Sequence, residues 1–235
     1  MKRYSFNVVL IAVLSVVAAL AANLVSARLG FFGPWVAPMG VFFFPFVYIL
    51  SDVTSEVYGY RVSRWIAWIT TGANLLFTFG VLGVISINKP APWCVDMDNA
   101  IRLIIVGKNG GAGMIRVMFS GAAGAVLGGW VNDIVFQFLR HKDGTKKFAK
   151  RKLLSSAAAE LVDTSTFITL AFVGTGAWGI QLYIVQFVLK YTVEVITEPL
   201  AKLLANKLRN KEGIEVFEDR NKFNIFGFEK KTAKE

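Results

Sequence analysis

Long apolar runs separated by short polar stretches set the pattern of this chain. A bilayer hydrocarbon core about 30 Å thick is crossed by about 20 residues of α-helix. Six segments meet that requirement, at 6–27, 39–58, 65–87, 114–139, 153–174 and 178–205. The breaks between them carry turn chemistry: Gly33-Pro34 and Pro38 precede the second segment, Lys89-Pro90 follows the third, and Gly174-Thr175-Gly176 separates the fifth from the sixth. The pattern predicts an all-α integral membrane protein with six transmembrane helices in residues 1–205 and a mixed-charge tail over 206–235. The longest connection, 88–113, holds the Gly-rich run "GKNGGAG" and a stretch near "NAIRLIIV" that reads as a short amphipathic piece on the membrane surface.

Composition agrees with the pattern. Hydrophobic residues make up 54% of the 235 positions and the mean hydropathy is +0.51, beyond the roughly 45–50% apolar usage of soluble domains. The net charge of +10 would suit a nucleic-acid binder, so its distribution matters. Nineteen Lys and Arg fall at the N-terminus, in the second connection, in "RHKDGTKKFAKRK" (140–152) and in the tail; the connections on the other side hold four, Arg28, Lys89, Arg102 and Lys108. Positive residues collect on the cytoplasmic side of membrane proteins, which places both termini of a multi-pass protein in the cytoplasm and accounts for the charge with no nucleic-acid partner. The start, "MKRYSFNVVLIAVLSVVAALAAN", has the composition of a signal peptide. It continues apolar far enough to span and is read as the first membrane helix.

Single copies of Cys (Cys94) and His (His141) supply neither an intrachain disulfide nor a His/Cys metal site, and no cofactor is expected. The sequence holds no HExxH, GxSxG or Walker A motif. "GTGAWG" (174–179) matches GxGxxG in form, but it joins two membrane segments and reads as a turn. With no nucleophile or metal set beside its carboxylates, an intramembrane enzyme is disfavoured.

Ionisable groups at membrane depth carry the candidate chemistry, because each costs about 2.5–3.5 kcal/mol or more to insert and usually faces a cavity or a partner. Asp52 and Glu56, spaced i, i+4 in "FPFVYILSDVTSEVYGYR", share one face about 20 and 25 Å in from the outer end of the second segment. Glu160 and Asp163 share a face of the fifth segment, about 10 and 15 Å from the inside. Lys190 lies near the middle of the sixth, where it could pair with Glu194 or with Asp163. Arg116 and Asp133 stand near the outer and inner ends of the fourth. Purely structural ion pairs compete with a ligand-lining role at each of these positions: Glu56, Glu198 and Asp133 lie near basic residues at the cytoplasmic end, and Arg116 could snorkel outward. In "SGAAGAVLGGW", Ser120, Gly124 and Gly128 recur every four residues, a small-residue stripe that lets helices approach closely.

"FPFVYILSDVTSEVYGYRVSRW" resembles the second-helix signature of the queuosine precursor transporter family, also called the VUT family. Asn23, "RVMFSGAAGAVLGGWVNDIVF", "SSAAAELVDTSTFITLAF" and "LKYTVEVITEPL" extend the similarity over about residues 6–205. The resemblance implies a six-helix fold similar to the substrate-binding components of energy-coupling-factor importers, and uptake of 7-deazaguanine bases such as 7-cyano-7-deazaguanine. Such a base offers ring N–H and amine donors to a carboxylate, acceptors to Asn, Arg or Lys, and a flat face to aromatics. The candidate substrate-binding residues are accordingly Asn23, Asp52, Glu56, Arg116, Asp133, Asp163 and Lys190, with Phe43, Phe44, Phe167 and Trp130 as a stacking wall. The partners expected are a purine-like small molecule and the lipid bilayer, with self-association and a separate energising module left open. The alternative is a vitamin-binding component that works with a separate ATPase module.

Overall fold

The computed structural model describes residues 5–87, 89–108, 112–143 and 148–213; the side chains of Asp133, Phe136, Gln137 and residues 140–152 are outside that description. The tail beyond Gly213, residues 109–111 of the Gly-rich run and the middle of the basic connection also lie outside it. Helix dominates: α1 (Phe6–Ser26), α2 (Phe44–Ile87), α3 (Val95–Ile105), α4 (Met114–Asp143), α5 (Phe148–Phe172) and α6 (Ile180–Glu212). Among the described residues, four of these are long and apolar enough to cross a membrane: α1, α2, the Met114–Asn132 part of α4, and α6.

Helix α2 merges two of the predicted segments. Its 44 residues would extend about 66 Å as one straight rod, more than twice a bilayer core. The expected loop over 59–64 is replaced by a break at one residue, Gly59, whose φ of 87° and ψ of 169° lie far from helical values. That region is essentially restricted to glycine, so the change of path needs no further loop residues. The start of α2 also differs from the sequence expectation. Met39–Phe42 forms a 3-10 turn and the α-helix begins at Phe44, with Pro45 in the first turn, where a missing N–H leaves no intrahelical bond unmade.

A feature the apolar pattern did not predict lies between α1 and α2. Strands β1 (Leu29–Phe32) and β2 (Trp35–Pro38) pair antiparallel, in register from Leu29↔Pro38 to Phe32↔Trp35. Gly33 has φ +62° and is followed by a proline whose ring holds φ negative; a positive then a negative φ is the II′ pattern, which suits a two-residue hairpin. Gly33-Pro34 is therefore the turn of a hairpin rather than plain punctuation. The amphipathic stretch after the third segment is realised as α3, whose Arg102 bonds Asp98 at 2.6 Å and reaches the Ile85 carbonyl at the end of α2.

The chain divides into two compact units. The first comprises residues 1–22, 42–76 and 193–235. Its core gathers Val8 and Ile11 of α1, Val53, Val57, Tyr58 and Ile66 of α2, and Ala201 and Ala205 of α6. At one end the Glu212 carboxylate accepts bonds from the Tyr58 hydroxyl (2.9 Å), the Ser5 hydroxyl (2.7 Å) and the Asn7 amide. The second unit comprises residues 23–41 and 77–192, and its core is Val117, Phe167, Ile168, Ala171, Phe172 and Leu182. Within it α4 and α5 form an extensive pair.

Both units invert the arrangement of a water-soluble protein. Large apolar side chains such as Val84, Ile87, Ile134, Ile184 and Ile196 point outward, while Ser120, Thr164, Gln186, Lys190, Asn74 and Thr78 are buried. Outward apolar surface on this scale is costly in water and matches a hydrocarbon solvent, so the helices are membrane helices in composition and in the faces they present. The break at Gly59 yields a direct test. Gly59→Ala should destabilise the protein by about 1–3 kcal/mol, because alanine must take a glycine-only conformation; a melting curve of the detergent-purified variant at or above the wild-type midpoint would refute this.

Candidate functional site

The deepest ionisable groups of the second unit converge. Glu160 and Asp163, three residues apart on α5, face α6, and Lys190 reaches both. Its ammonium lies 2.6 Å from Glu160 Oε1 and forms a second ion pair with Asp163 Oδ2. Lys190 is 5% exposed and Glu160 9%. Thr164, one helical turn beyond Glu160 and also buried, donates its hydroxyl to Glu160 Oε1 at 3.0 Å. A lone ammonium or carboxylate at such burial would carry a desolvation penalty of several kcal/mol. Here each charge faces an opposite one, so the cluster holds together as a set.

The small-residue stripe of α4 explains how Asp163 is seated. A Cβ added at Gly124 would lie 2.5 Å from Asp163 Oδ1 and 2.8 Å from its carbonyl oxygen, and one at Gly128 would lie 2.9 Å from the Ala159 carbonyl and 3.0 Å from Asp163 Cβ. No real side chain tolerates those separations. The two glycines therefore do more than tighten helix packing: they leave room for the Asp163 carboxylate against the face of α4. Ser120, next on the stripe, turns its hydroxyl back to the Arg116 carbonyl at 2.6 Å, which keeps that row narrow.

Charge counting shows what the cluster can do. Two carboxylates against one ammonium leave a net charge of −1 when all three are ionised, and carboxylates are acceptors only. The arrangement suits a ligand that brings N–H donors, or a proton.

The other sequence candidates are placed differently. Arg116 donates from Nε to the Leu170 carbonyl (2.6 Å) and from Nη2 to the Val173 carbonyl (2.5 Å). These carbonyls belong to the end of α5, where the last turn lacks intrahelical partners and favours a cation, so a helix-capping role accounts for the guanidinium. Asp52 and Glu56 belong to the first unit and are exposed. Glu56 accepts Arg209 at 2.9 Å, a residue 153 positions away that the local basic neighbours did not point to. Glu198 pairs with Lys202 at 3.0 Å, as its spacing suggested. Asn23 is half-buried in the second unit, and the Asp133 side chain lies outside the described residues. Of the expected stacking wall, Phe167 is buried, Trp130 is exposed and Phe44 stacks on Tyr48 with centroids 6.2 Å apart.

Two buried polar residues were passed over in the candidate set. Glu160 was visible as the i, i+3 partner of Asp163 and needed only the assumption that one ammonium can serve both. Gln186 sits in the apolar run "IQLYIVQFVLKY", one turn before Lys190; it is fully buried, and neither of its amide atoms has a hydrogen-bond partner among the described residues. Its signal was an amide in an otherwise lipid-like stretch.

Residues 38–204, more than half of the chain, match the family described as "Putative vitamin uptake transporter". No curated protein and no solved structure matches the chain. The matched span contains Glu160, Asp163, Gln186 and Lys190. The cluster itself makes a stability prediction. Lys190→Met leaves two buried carboxylates facing each other and should cost about 3–5 kcal/mol, whereas Lys190→Met combined with Glu160→Gln and Asp163→Asn should recover much of that loss. Thermal melts of the single and triple variants distinguish this from a site where the three charges act independently, in which case the losses would simply add.

Proposed function

The chain belongs to the vitamin uptake transporter (VUT) family, and on that premise we propose that it imports a queuosine precursor, a 7-deazaguanine base such as 7-cyano-7-deazaguanine, across the cell (inner) membrane. The observation that carries this reading is the buried Glu160–Asp163–Lys190 cluster within helices whose outer faces are apolar. The excess acceptor charge on α5 suits the exocyclic amine of the base. Phe167, buried in the apolar layer next to the cluster on α5, offers a face for the ring.

In this reading the chain crosses the membrane six times, as α1, the two halves of α2 on either side of Gly59, α4, α5 and α6. Helix α5 counts as a crossing although its charge lowers its hydropathy, because Lys190 neutralises part of that charge. The basic connections face the cytoplasm together with both termini, and α3 lies on the outer surface. Asn23, Asp52 and Asp133 remain candidates for the route the base follows. The absence of a nucleotide-hydrolysing motif favours either facilitated or proton-coupled movement, or the second reading, a vitamin-binding component served by a separate ATPase module.

Uptake of radiolabelled 7-cyano-7-deazaguanine into cells unable to make queuosine tests the function. Expression of this chain should raise uptake well above the empty-vector level, and Asp163→Asn should reduce it by about tenfold or more, the scale of one lost charge-assisted hydrogen bond. Uptake equal to the vector control refutes the reading, and uptake that appears only with a co-expressed ATPase module favours the alternative. Asp52→Asn in the same assay decides whether the second-segment carboxylate belongs to the route. Orientation has its own test. Cys94, the single cysteine, is exposed in the connection assigned to the outside, so a membrane-impermeant maleimide should label it in intact cells; labelling only after permeabilisation would reverse the topology.

A further inference from the structure

We infer that Gln186 reads the edge of the transported base, its carboxamide pairing with an adjacent N–H donor and C=O acceptor, the lactam edge of a planar heterocycle. The inference rests on the transport reading above and assigns a specificity residue within that site. Three observations support it. Gln186 and Lys190 stand at i and i+4 on α6, about 6 Å apart along the axis and on the same face. Gln186 is 0% exposed, and both Nε2 and Oε1 lack a hydrogen-bond partner among the described residues. One turn further along the same stripe, Leu182 is packed into the apolar layer of Phe167, Ile168 and Phe172. The amide thus sits between an aromatic layer and an ion cluster.

That position is costly in a ligand-free protein. A buried amide with neither of its bonds made is less stable than a leucine or methionine filling the same space, because the lost hydration has no compensation. The flanking positions Ile184, Val185, Phe187 and Val188 are apolar, so the amide is set in a lipid-like stretch one turn from Lys190. A carboxamide presents one donor and one acceptor side by side, the complement of H–N–C=O. The layers then divide the recognition of one flat molecule: aromatic face from Phe167 and Phe172, lactam edge from Gln186, and amine from the carboxylates that exceed Lys190 in charge. A site built on hydrogen bonds rejects analogues that cannot make them far better than an apolar pocket rejects an added methyl group, so Gln186 would supply the discrimination that Phe167 cannot.

The test uses full-length protein in detergent with two probes, 7-cyano-7-deazaguanine and its O6-methyl ether, which keeps the ring and amine but loses the lactam N–H. Wild-type protein should bind the first at least about tenfold more tightly than the second. Gln186→Leu and Gln186→Met should bind the lactam probe about 10- to 100-fold more weakly and lose the preference between probes. Without ligand, both variants should melt about 2–4 °C higher than wild type, as relief of an unpaired buried amide predicts for a chain of this length. Wild-type affinity and preference in both variants would overturn the inference, and so would a lowered ligand-free melting point in both, which would mean that the amide is held by the fold. Failure of the wild type to bind either probe would instead refute the transport reading for this base.

Discussion

A charged amine buried at 5% exposure in the middle of a membrane helix is the constraint around which the second unit is organised. Lys190 cannot stay protonated there without nearby anions, because the desolvation penalty of an isolated ammonium exceeds what packing returns. Glu160 and Asp163 meet that need from one face of α5, and in doing so they fix the register of α5 against α6. Sliding either helix by one turn would separate the charges by about 5.4 Å. The ion cluster is therefore a register device as well as a chemical site.

The same cluster sets demands on α4. A carboxylate turned toward a neighbouring helix needs space, and Gly124 and Gly128 provide it where any side chain would collide with Asp163. Close approach of α4 and α5 brings Arg116 within reach of the last carbonyls of α5, which would otherwise face a low-dielectric surround with no partner. Seating of the acid, helix contact and helix capping are thus consequences of one sequence row on α4. A family match over residues 38–204 and a buried polar cluster in apolar-surfaced helices are consistent with a membrane transporter.

The first unit follows a different logic. Its core is aliphatic, with one buried tyrosine, and its polar contacts gather at one end, where Glu212 takes Ser5, Asn7 and Tyr58 and Arg209 takes Glu56. These bonds tie the start of α1 and the first half of α2 to the end of α6, elements separated by up to 207 positions. Side chains near a membrane surface can make such bonds at modest cost, because water completes whatever geometry leaves open. The contrast between an end-on polar tie and a deep ion cluster separates the two carboxylate pairs that the sequence presents in similar spacing.

Membrane character and the apolar helical stretches were legible in the sequence, because length and polarity along a helix are one-dimensional properties. Asp163 with Lys190 was one of two pairings the spacing allowed; the packing of α5 on α6 makes that pair and adds Glu160 to it. Asp52 stood with Asp163 and Lys190 as a residue at depth, yet it is exposed within its unit, since depth along a helix says nothing of which way its face turns. For Arg116, a ligand role and snorkelling were both open in the sequence, and the tertiary structure adds bonds to the carbonyls at the end of α5. Gln186 was easy to pass over because glutamine carries no charge to mark it, only an amide in an apolar stretch. Sequence by itself determined which residues are expensive to bury; tertiary structure decided which of them share that expense, because pairing depends on helix rotation and approach, and these are set by contacts far apart in the chain.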